Sequence, residues 1–225
     1  MRWIGCVVLL CLTAATGCRS DAARTGEPSI CGSADPLRIL VLGDSIAAGH
    51  PLHAPDRWSD KLQANLRLAR PARLIEIRNL AKAGSKVDFL TSSISAEPDL
   101  PSYRYAIVIE GVNDIVATTL DDWARRYRLA IENLEASGIR VVIGTAPPAI
   151  AGGEFLDTYD QVAMTLRTIA AECSRSLLDV ERHWRDLGAA AVKGFHVDII
   201  HQNGAGQAEM ADLAASLFGT QARAC

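Results

Sequence analysis

Residues 38–49 read Arg-Ile-Leu-Val-Leu-Gly-Asp-Ser-Ile-Ala-Ala-Gly, and the rest of the chain is organised around this stretch. A short apolar run ends in Gly43, and Ser45 follows on a turn made of small residues. An uninterrupted apolar run is typical of a strand buried at the centre of a parallel sheet. Ligands of open α/β sheets bind just beyond the carboxyl ends of the strands. The stretch therefore predicts a serine hydroxyl at a binding edge, although Gly-Asp-Ser also fits an ordinary turn.

Strand-like and helix-like segments alternate along the whole domain. The predicted strands are residues 37–42, 74–77, 105–110, 139–144 and 177–180. The predicted helices are residues 57–70 and 87–94, a helix between Thr119 and Gly138, an apolar stripe from Tyr159 to Cys173, and residues 207–218. This βα alternation predicts an α/β fold, a three-layer α/β/α sandwich with a five-stranded parallel sheet and right-handed crossovers.

The composition favours one compact domain and excludes several functions. The chain has 225 residues, of which 49% are hydrophobic, enough for one sizeable core. Its net charge of −3 and its aromatic content of 5% argue against a nucleic-acid partner. The sequence contains neither a G-x-x-x-x-G-K-[ST] phosphate loop nor an H-E-x-x-H zinc helix. We therefore expect no cofactor and no metal, while the sequence does not indicate an oligomeric state.

The N-terminus is typical of a targeting segment. Residues 1–17 contain Arg2, then a short apolar run, then small residues before Cys18. The pattern resembles a bacterial lipoprotein signal peptide, with Cys18 as the lipidated first residue of the mature chain; a plain secretory signal is the alternative. Residues 18–35 are predicted to be a flexible tether and residues 36–225 the folded domain. We expect an exported protein anchored to a membrane and facing the periplasm or the cell exterior, or otherwise secreted.

Three further cysteines remain in the predicted mature chain. Cys31, Cys173 and Cys225 would then meet an oxidising compartment, which favours one disulfide among them. No pair is spaced as C-x-x-C, so a zinc site is not expected. We predict a Cys31–Cys225 bond because the first precedes the first strand and the second follows the last helix.

Four loops would lie at the catalytic edge if the sheet is parallel. They contain Ser45, the run from Asn79 to Ser85, the run from Gly111 to Asp114, and the run from Asp198 to Gly204. A serine hydroxyl becomes a good nucleophile only when a base takes its proton, and a histidine does this near neutral pH. The histidine in turn needs an acceptor that fixes its tautomer, and an aspartate three residues earlier can provide one.

These four blocks resemble those of the SGNH hydrolases, also called the GDSL family. The matching residues are Ser45, Gly84, Asn113 and His201, with Asp198 three residues before the histidine. The resemblance covers residues 37–218 and implies the flavodoxin-like strand order 2-1-3-4-5. It also implies a catalytic triad of Ser45, Asp198 and His201, and an oxyanion hole formed by the backbone N–H groups of Ser45 and Gly84 with the Asn113 amide. One departure is Ile46, where the family's short name has leucine.

The expected function is a serine esterase that hydrolyses carboxylic esters through an acyl-enzyme. Its substrate would be a small-molecule, glycan or lipid ester, and thioesterase or lysophospholipase activity is included. The alternatives are an acyltransferase, a polysaccharide deacetylase using the same site, and a catalytically silent binding lipoprotein. Asp44 and Asp114 are predicted to shape turns. The remaining histidines lack the sequence context of His201; they are His50, His53, His183 and His196.

Overall fold

A five-stranded parallel sheet forms the centre of the molecule. The computed structural model describes residues 36–115, 117–150 and 154–219. The strands are β1 (Leu37–Gly43), β2 (Ile75–Asn79), β3 (Tyr105–Ile109), β4 (Arg140–Gly144) and β5 (Ser176–Leu178). Their order is β2-β1-β3-β4-β5, and every neighbouring pair is parallel. The predicted α/β class and strand order are therefore confirmed.

Helices cover both faces of the sheet. They are α1 (Ser45–Ala48), α2 (Trp58–Ala69), α3 (Val87–Ala96), α4 (Leu120–Ala136), α5 (Glu154–Glu172), α6 (Val180–Leu187), α7 (Ala189–Gly194) and α8 (Gly204–Gly219). A short 3₁₀ helix spans Leu100–Ser102. One apolar core contains side chains of α2, α6 and α8, and the other contains side chains of α3, α4 and α5.

The first strand supplies side chains to both cores. Ile39 and Val41 belong to the core with α2 and α8, whereas Leu40 and Leu42 belong to the core with α3 and α4. Successive side chains of a strand point to opposite faces, so a strand covered on both sides must be apolar throughout. This explains why the apolar run before Gly43 is uninterrupted.

The helix α4 follows its sequence signals closely. The Thr119 side chain accepts a hydrogen bond from the backbone N–H of Asp122 and caps the N-terminus. Gly138 follows the helix with a φ of 83°, a conformation that glycine adopts at little cost. Trp123, Tyr127 and other apolar residues of one face are buried against the sheet.

The structure differs from the sequence prediction mainly after β4. The fifth strand ends at Leu178, and Val180, predicted as part of that strand, begins α6. The Asp179 side chain accepts from the backbone N–H of Arg182 and caps this helix. The short helices α1, α6 and α7 were not predicted, because segments of four to eight residues show little periodicity. The second strand also begins at Ile75 and extends to Asn79.

Several predictions fall outside the described residues. They concern residues 1–35, including the signal peptide, the Cys18 lipid, the tether and Cys31, and the end of the chain with Cys225. Cys173 is disulfide-bonded. The predicted Cys31–Cys225 bond does not include this cysteine. Within the part of the chain that the structure describes, no helix is both long enough and apolar enough to cross a membrane.

Candidate active site

Ser45 lies at the first turn after β1, where the chain passes very close to β3. A Cβ atom on Gly43 would lie 1.7 Å from the Ile109 carbonyl oxygen, and the φ of Gly43 is 137°. Only glycine fits both constraints. The Asp44 backbone N–H donates to the Ile109 carbonyl (3.1 Å), and the Asp44 carboxylate accepts from the Ile46 N–H (2.8 Å). Asp44 thus shapes the turn, as predicted, and Ser45 becomes the first residue of α1.

The structure brings Ser45, His201 and Asp198 together although Ser45 and Asp198 are 153 positions apart in the sequence. The His201 Nε2 atom lies 2.9 Å from Ser45 Oγ, and its Nδ1 atom lies 2.7 Å from Asp198 Oδ2. The other oxygen of Asp198 accepts from the backbone N–H groups of Ile200 (2.9 Å) and His201 (2.7 Å). The carboxylate therefore holds both the backbone and the ring of the histidine.

Asp198 is ionised at neutral pH. Partial burial on its own would raise the pKa of this carboxyl, but hydrogen bonds from the backbone of His201 and Ile200 and from the His201 ring outweigh it and lower the pKa to about 2. An ionised acceptor on Nδ1 leaves the Nε2 lone pair available to accept the proton of the Ser45 hydroxyl. The arrangement can therefore perform general-base chemistry on Ser45.

The loop that carries His201 is held by side chains that the sequence analysis did not single out. The Gln202 amide donates to the Ile200 carbonyl (2.8 Å), and the Asn203 amide donates to the Gly194 carbonyl (2.7 Å). The Asn203 side-chain oxygen also accepts from the first N–H groups of α8. Gln207 accepts from the Trp58 N–H (2.7 Å), which connects α8 to α2. The sequence did contain a signal for Asn203, because an asparagine directly before a helix is a good N-cap.

The predicted oxyanion residues lie on the neighbouring loops. Gly84 has a φ of 78°, and a Cβ there would meet no atom within 4 Å, so its requirement for glycine is conformational. The Asn113 amide donates to the Ser85 carbonyl (2.9 Å), which joins the loops after β2 and β3. The Lys82 N–H donates to the Gly43 carbonyl (2.9 Å), which joins the loops after β1 and β2.

Three carboxyl groups are buried under these loops. They belong to Asp44, Glu110 and Asp114, none more than 3% exposed. Asp114 accepts from the Val87 N–H at the start of α3, so it organises the turn as predicted. Burial raises the pKa of Asp44 and of Asp114 to about 6. Burial and the charge of Asp44 raise the pKa of Glu110 to about 10. The sequence analysis placed Glu110 at the end of a strand without assigning it a role.

The other histidines have different surroundings. His196 is buried, with its Nδ1 atom 2.6 Å from the Val192 carbonyl and its ring edge-on to Trp184. His183 lies 2.7 Å from a carboxylate oxygen of Glu209. The His50 ring lies edge-on to the His201 ring with the centroids 4.8 Å apart. His50 is therefore a neighbour of the site that the sequence context did not indicate.

One comparison with known proteins identifies a family. The model of the GDSL-like lipase/acylhydrolase family matches residues 41–209. A search of curated protein sequences gives no significant match.

Several solved structures have the same fold. The acetyl xylan esterase AlAXEase is 20% identical with a TM-score of 0.68, over 80% of this chain and 98% of that one. A catalytic mutant of Axe2, an acetylxylan esterase from Geobacillus stearothermophilus, is 17% identical with a TM-score of 0.71, over 82% and 95%. A member of the lipolytic G-D-S-L family from Veillonella parvula is 19% identical with a TM-score of 0.66, over 81% and 98%. At these identities the likeness shows the fold, whereas the match of the family model over three quarters of the sequence shows the family. The chain belongs to the GDSL-like lipase/acylhydrolase family.

Proposed function

We propose that this protein is a serine esterase that hydrolyses carboxylic esters through an acyl-enzyme. The observation that carries the proposal is the continuous hydrogen-bonded path from Ser45 through His201 to Asp198, with distances of 2.9 and 2.7 Å. Ser45 is 6% exposed, so most of its surface is shielded from solvent by the surrounding protein. Such surroundings strengthen electrostatic interactions with the charge that develops during acyl transfer.

In the first half of the reaction, the Ser45 oxygen attacks the ester carbonyl while His201 Nε2 takes its proton. The negative charge on the carbonyl oxygen is stabilised by the backbone N–H groups of Ser45 and Gly84 and by the Asn113 amide. His201 then gives its proton to the leaving alcohol, and the acyl group stays on Ser45. Asp198 stabilises the imidazolium without taking its proton.

In the second half, a water molecule attacks the acyl-enzyme. His201 takes a proton from the water and returns it to Ser45, which releases the carboxylic acid. The Asn113 amide serves both halves unchanged, because a neutral amide donates hydrogen bonds at any pH near neutrality.

The substrate is proposed to be an acetyl ester of a carbohydrate. The support is that solved structures of the same fold carry the names acetyl xylan esterase and acetylxylan esterase. A longer acyl chain, as in lysophospholipids or thioesters, is the competing substrate class. Transfer of the acyl group to a sugar hydroxyl is the competing reaction, since it uses the same acyl-enzyme.

The test is a series of p-nitrophenyl esters from acetyl to long acyl chains, with acetylated xylo-oligosaccharide as the carbohydrate substrate. We expect the highest kcat/KM with acetyl and release of acetate from the oligosaccharide. Ser45→Ala should abolish both reactions while the far-UV circular dichroism stays unchanged. A maximum at long acyl chains would favour lipid substrates. Release of p-nitrophenol with the acetyl group recovered on a sugar, and not as free acetate, would favour transfer. No turnover and no labelling of Ser45 by an organophosphonate would favour a silent binding protein.

We also propose that the protein is exported and anchored through lipid on Cys18. The support is the resemblance of residues 1–18 to a lipoprotein signal. Cells fed radiolabelled palmitate should label the wild-type protein, and Cys18→Ser should lose the label. Retention of the label in that variant would contradict the anchor.

A further inference from the structure

Ser85 joins three loops of the site through one buried side chain. Its Oγ atom lies 3.0 Å from the Gly43 carbonyl oxygen and 3.1 Å from Glu110 Oε2. Its own carbonyl accepts from the Asn113 amide (2.9 Å). Ser85 directly follows Gly84, so its position sets the positions of both predicted oxyanion donors outside Ser45.

The number of hydrogens on these atoms decides how Ser85 is held. A carbonyl oxygen only accepts, and a serine hydroxyl has a single hydrogen to donate. If Ser85 donates to the Gly43 carbonyl, its contact with Glu110 is a hydrogen bond only when Glu110 carries a proton. The other oxygen of Glu110 accepts from the Gly111 N–H (3.1 Å), so Oε2 is the atom that bears the proton. A protonated Glu110 thus satisfies every contact at once, whereas an ionised one must compete with the Gly43 carbonyl for the Ser85 hydrogen.

The surroundings of Glu110 favour the protonated form. The ionisable groups that face it are the carboxyls of Asp44 and Asp114, from the loops after β1 and β3, and the Tyr127 phenol on α4. The Tyr127 hydroxyl donates to the Val108 carbonyl (3.2 Å), and burial raises the pKa of this phenol. Glu110 itself is 2% exposed. Burial and two neighbouring negative charges both oppose ionisation of a carboxyl.

We propose that Glu110 is a proton-bearing positioning residue of the active site, which donates a hydrogen bond to Ser85 Oγ and thereby holds Gly84 and Asn113 in the oxyanion hole. This inference rests on the proposed esterase function. Ionisation of Glu110 would turn the Ser85 hydroxyl away from Gly43 and would place a negative charge behind the site where an oxyanion develops. Both effects disfavour the transition state more than the bound ester, so kcat should fall while KM changes little.

The first test compares the pH dependence of kcat in the wild type and two variants on p-nitrophenyl acetate from pH 7 to 10.5, with Ser45→Ala as the measure of uncatalysed hydrolysis. Glu110→Gln keeps a donor for Ser85 and an acceptor for Gly111 but never ionises. The wild-type kcat should decline toward pH 10, whereas Glu110→Gln should retain its kcat over the same range. The matched control is Glu97→Gln, a buried glutamate that pairs with Arg78 (3.3 Å) at the C-terminal end of α3, and it should decline like the wild type. An equal decline in Glu110→Gln would overturn the proposal.

Ser85→Ala tests the same bridge from its other side. We expect kcat to fall about tenfold with KM changed less than about twofold, a part of the 10²–10³-fold loss seen when an oxyanion donor is removed outright. The alkaline decline of kcat should be smaller in Ser85→Ala than in the wild type, because only the charge of ionised Glu110 still acts there, and adding Glu110→Gln should remove the remaining decline. A wild-type kcat in Ser85→Ala would overturn the positioning role.

The second test does not depend on enzymatic activity. In the folded protein Glu110 keeps its proton up to about pH 10. In the unfolded chain its pKa has the ordinary value of 4.5, so it loses the proton above that pH. Its contribution to stability is therefore complete below about pH 4.5 and is lost as the pH rises toward 10. We define the Tm difference as the Tm of Glu110→Gln minus the Tm of the wild type. This difference should be more positive at pH 9 than at pH 5. An equal Tm difference at both pH values would overturn the protonated state. If the wild type hydrolyses no ester, the proposed function and the positioning role fail together, whereas the unfolding data still decide where the proton resides.

Discussion

The pKa values of carboxyl groups shift in opposite directions at the rim and at the floor of the candidate site. The rim is Asp198, and the floor consists of Asp44, Glu110 and Asp114. At the rim, the half-exposed carboxylate of Asp198 accepts hydrogen bonds from two backbone N–H groups and an imidazole, and its pKa falls to about 2. At the floor, Glu110 is enclosed beside two other carboxyls, and its pKa rises to about 10. Hydrogen-bond donors favour the charged form, while burial and like charges disfavour it. The same site thus contains a carboxylate that accepts a hydrogen bond from His201 and a carboxyl that donates one to Ser85.

The largest effect should come from the rim. Asp198→Asn should lower kcat by about 10³–10⁴, because an amide can donate to Nδ1 and so favour the wrong tautomer of His201. The Tm should change little, because the Asn side-chain oxygen still accepts from the Ile200 and His201 N–H groups. Steady-state kinetics on p-nitrophenyl acetate measure the loss. Asp186→Asn, on the exposed face of α6, is the control and should match the wild type. A loss below tenfold in Asp198→Asn would remove Asp198 from the mechanism.

At the floor, a truncation should cost stability. Asp114→Ala removes the acceptor of the Val87 N–H at the start of α3 and should lower the free energy of unfolding by about 1–3 kcal/mol. Asp114→Asn keeps an oxygen in that position and should lose less. Urea denaturation at pH 7 measures both. Equal losses would mean that the charge, rather than the hydrogen bond, is what Asp114 contributes.

A substitution in the floor should also move the alkaline limb of activity. Asp44→Asn keeps a side-chain oxygen for the Ile46 N–H but removes one of the charges that oppose ionisation of Glu110. The pKa of Glu110 should then fall, and the alkaline decline of kcat should begin about one pH unit lower. The measurement is the pH profile of kcat in Asp44→Asn beside that of Glu110→Gln. An unchanged pH profile in Asp44→Asn would show that the charge of Asp44 does not set the pKa of Glu110.

The smallest effect should again come from the rim, in acid. The pKa of Asp198 is lower in the folded protein than its ordinary value of 3.8, so its contribution to stability is present above about pH 4 and is lost as the pH falls toward 2. Because the side chain is half exposed and screened by water, this contribution should be under about 1 kcal/mol. Acid titration of wild type and Asp198→Asn should show a slightly shallower loss in the variant. A steeper loss would contradict the sign.

The sequence was sufficient for much of the fold because its signals are local. The apolar run before Gly43, the Thr119 cap and the glycine after α4 each depend on a few consecutive residues, and all three occur in the structure where expected. The helices α6 and α7 between β5 and α8 were not predicted, since they are too short to show a periodic stripe. The candidate site residues were identified through four sequence blocks, and the structure brings Ser45, Asp198 and His201 within hydrogen-bonding distance.

By itself, then, the sequence determined the element types, the α/β class and the residues that converge at the end of β1, because periodicity, caps and motifs are properties of neighbouring residues. Only the tertiary structure decided the protonation of the carboxyls. No feature of the neighbouring sequence distinguishes the acidity of Asp198 from that of Glu110. Their pKa values are nevertheless about 2 and about 10, because Asp198 accepts hydrogen bonds near solvent whereas Glu110 is enclosed by the loops after three strands. Solvent exclusion and charge proximity arise between segments that are far apart in the sequence, and they exist only once the chain is folded.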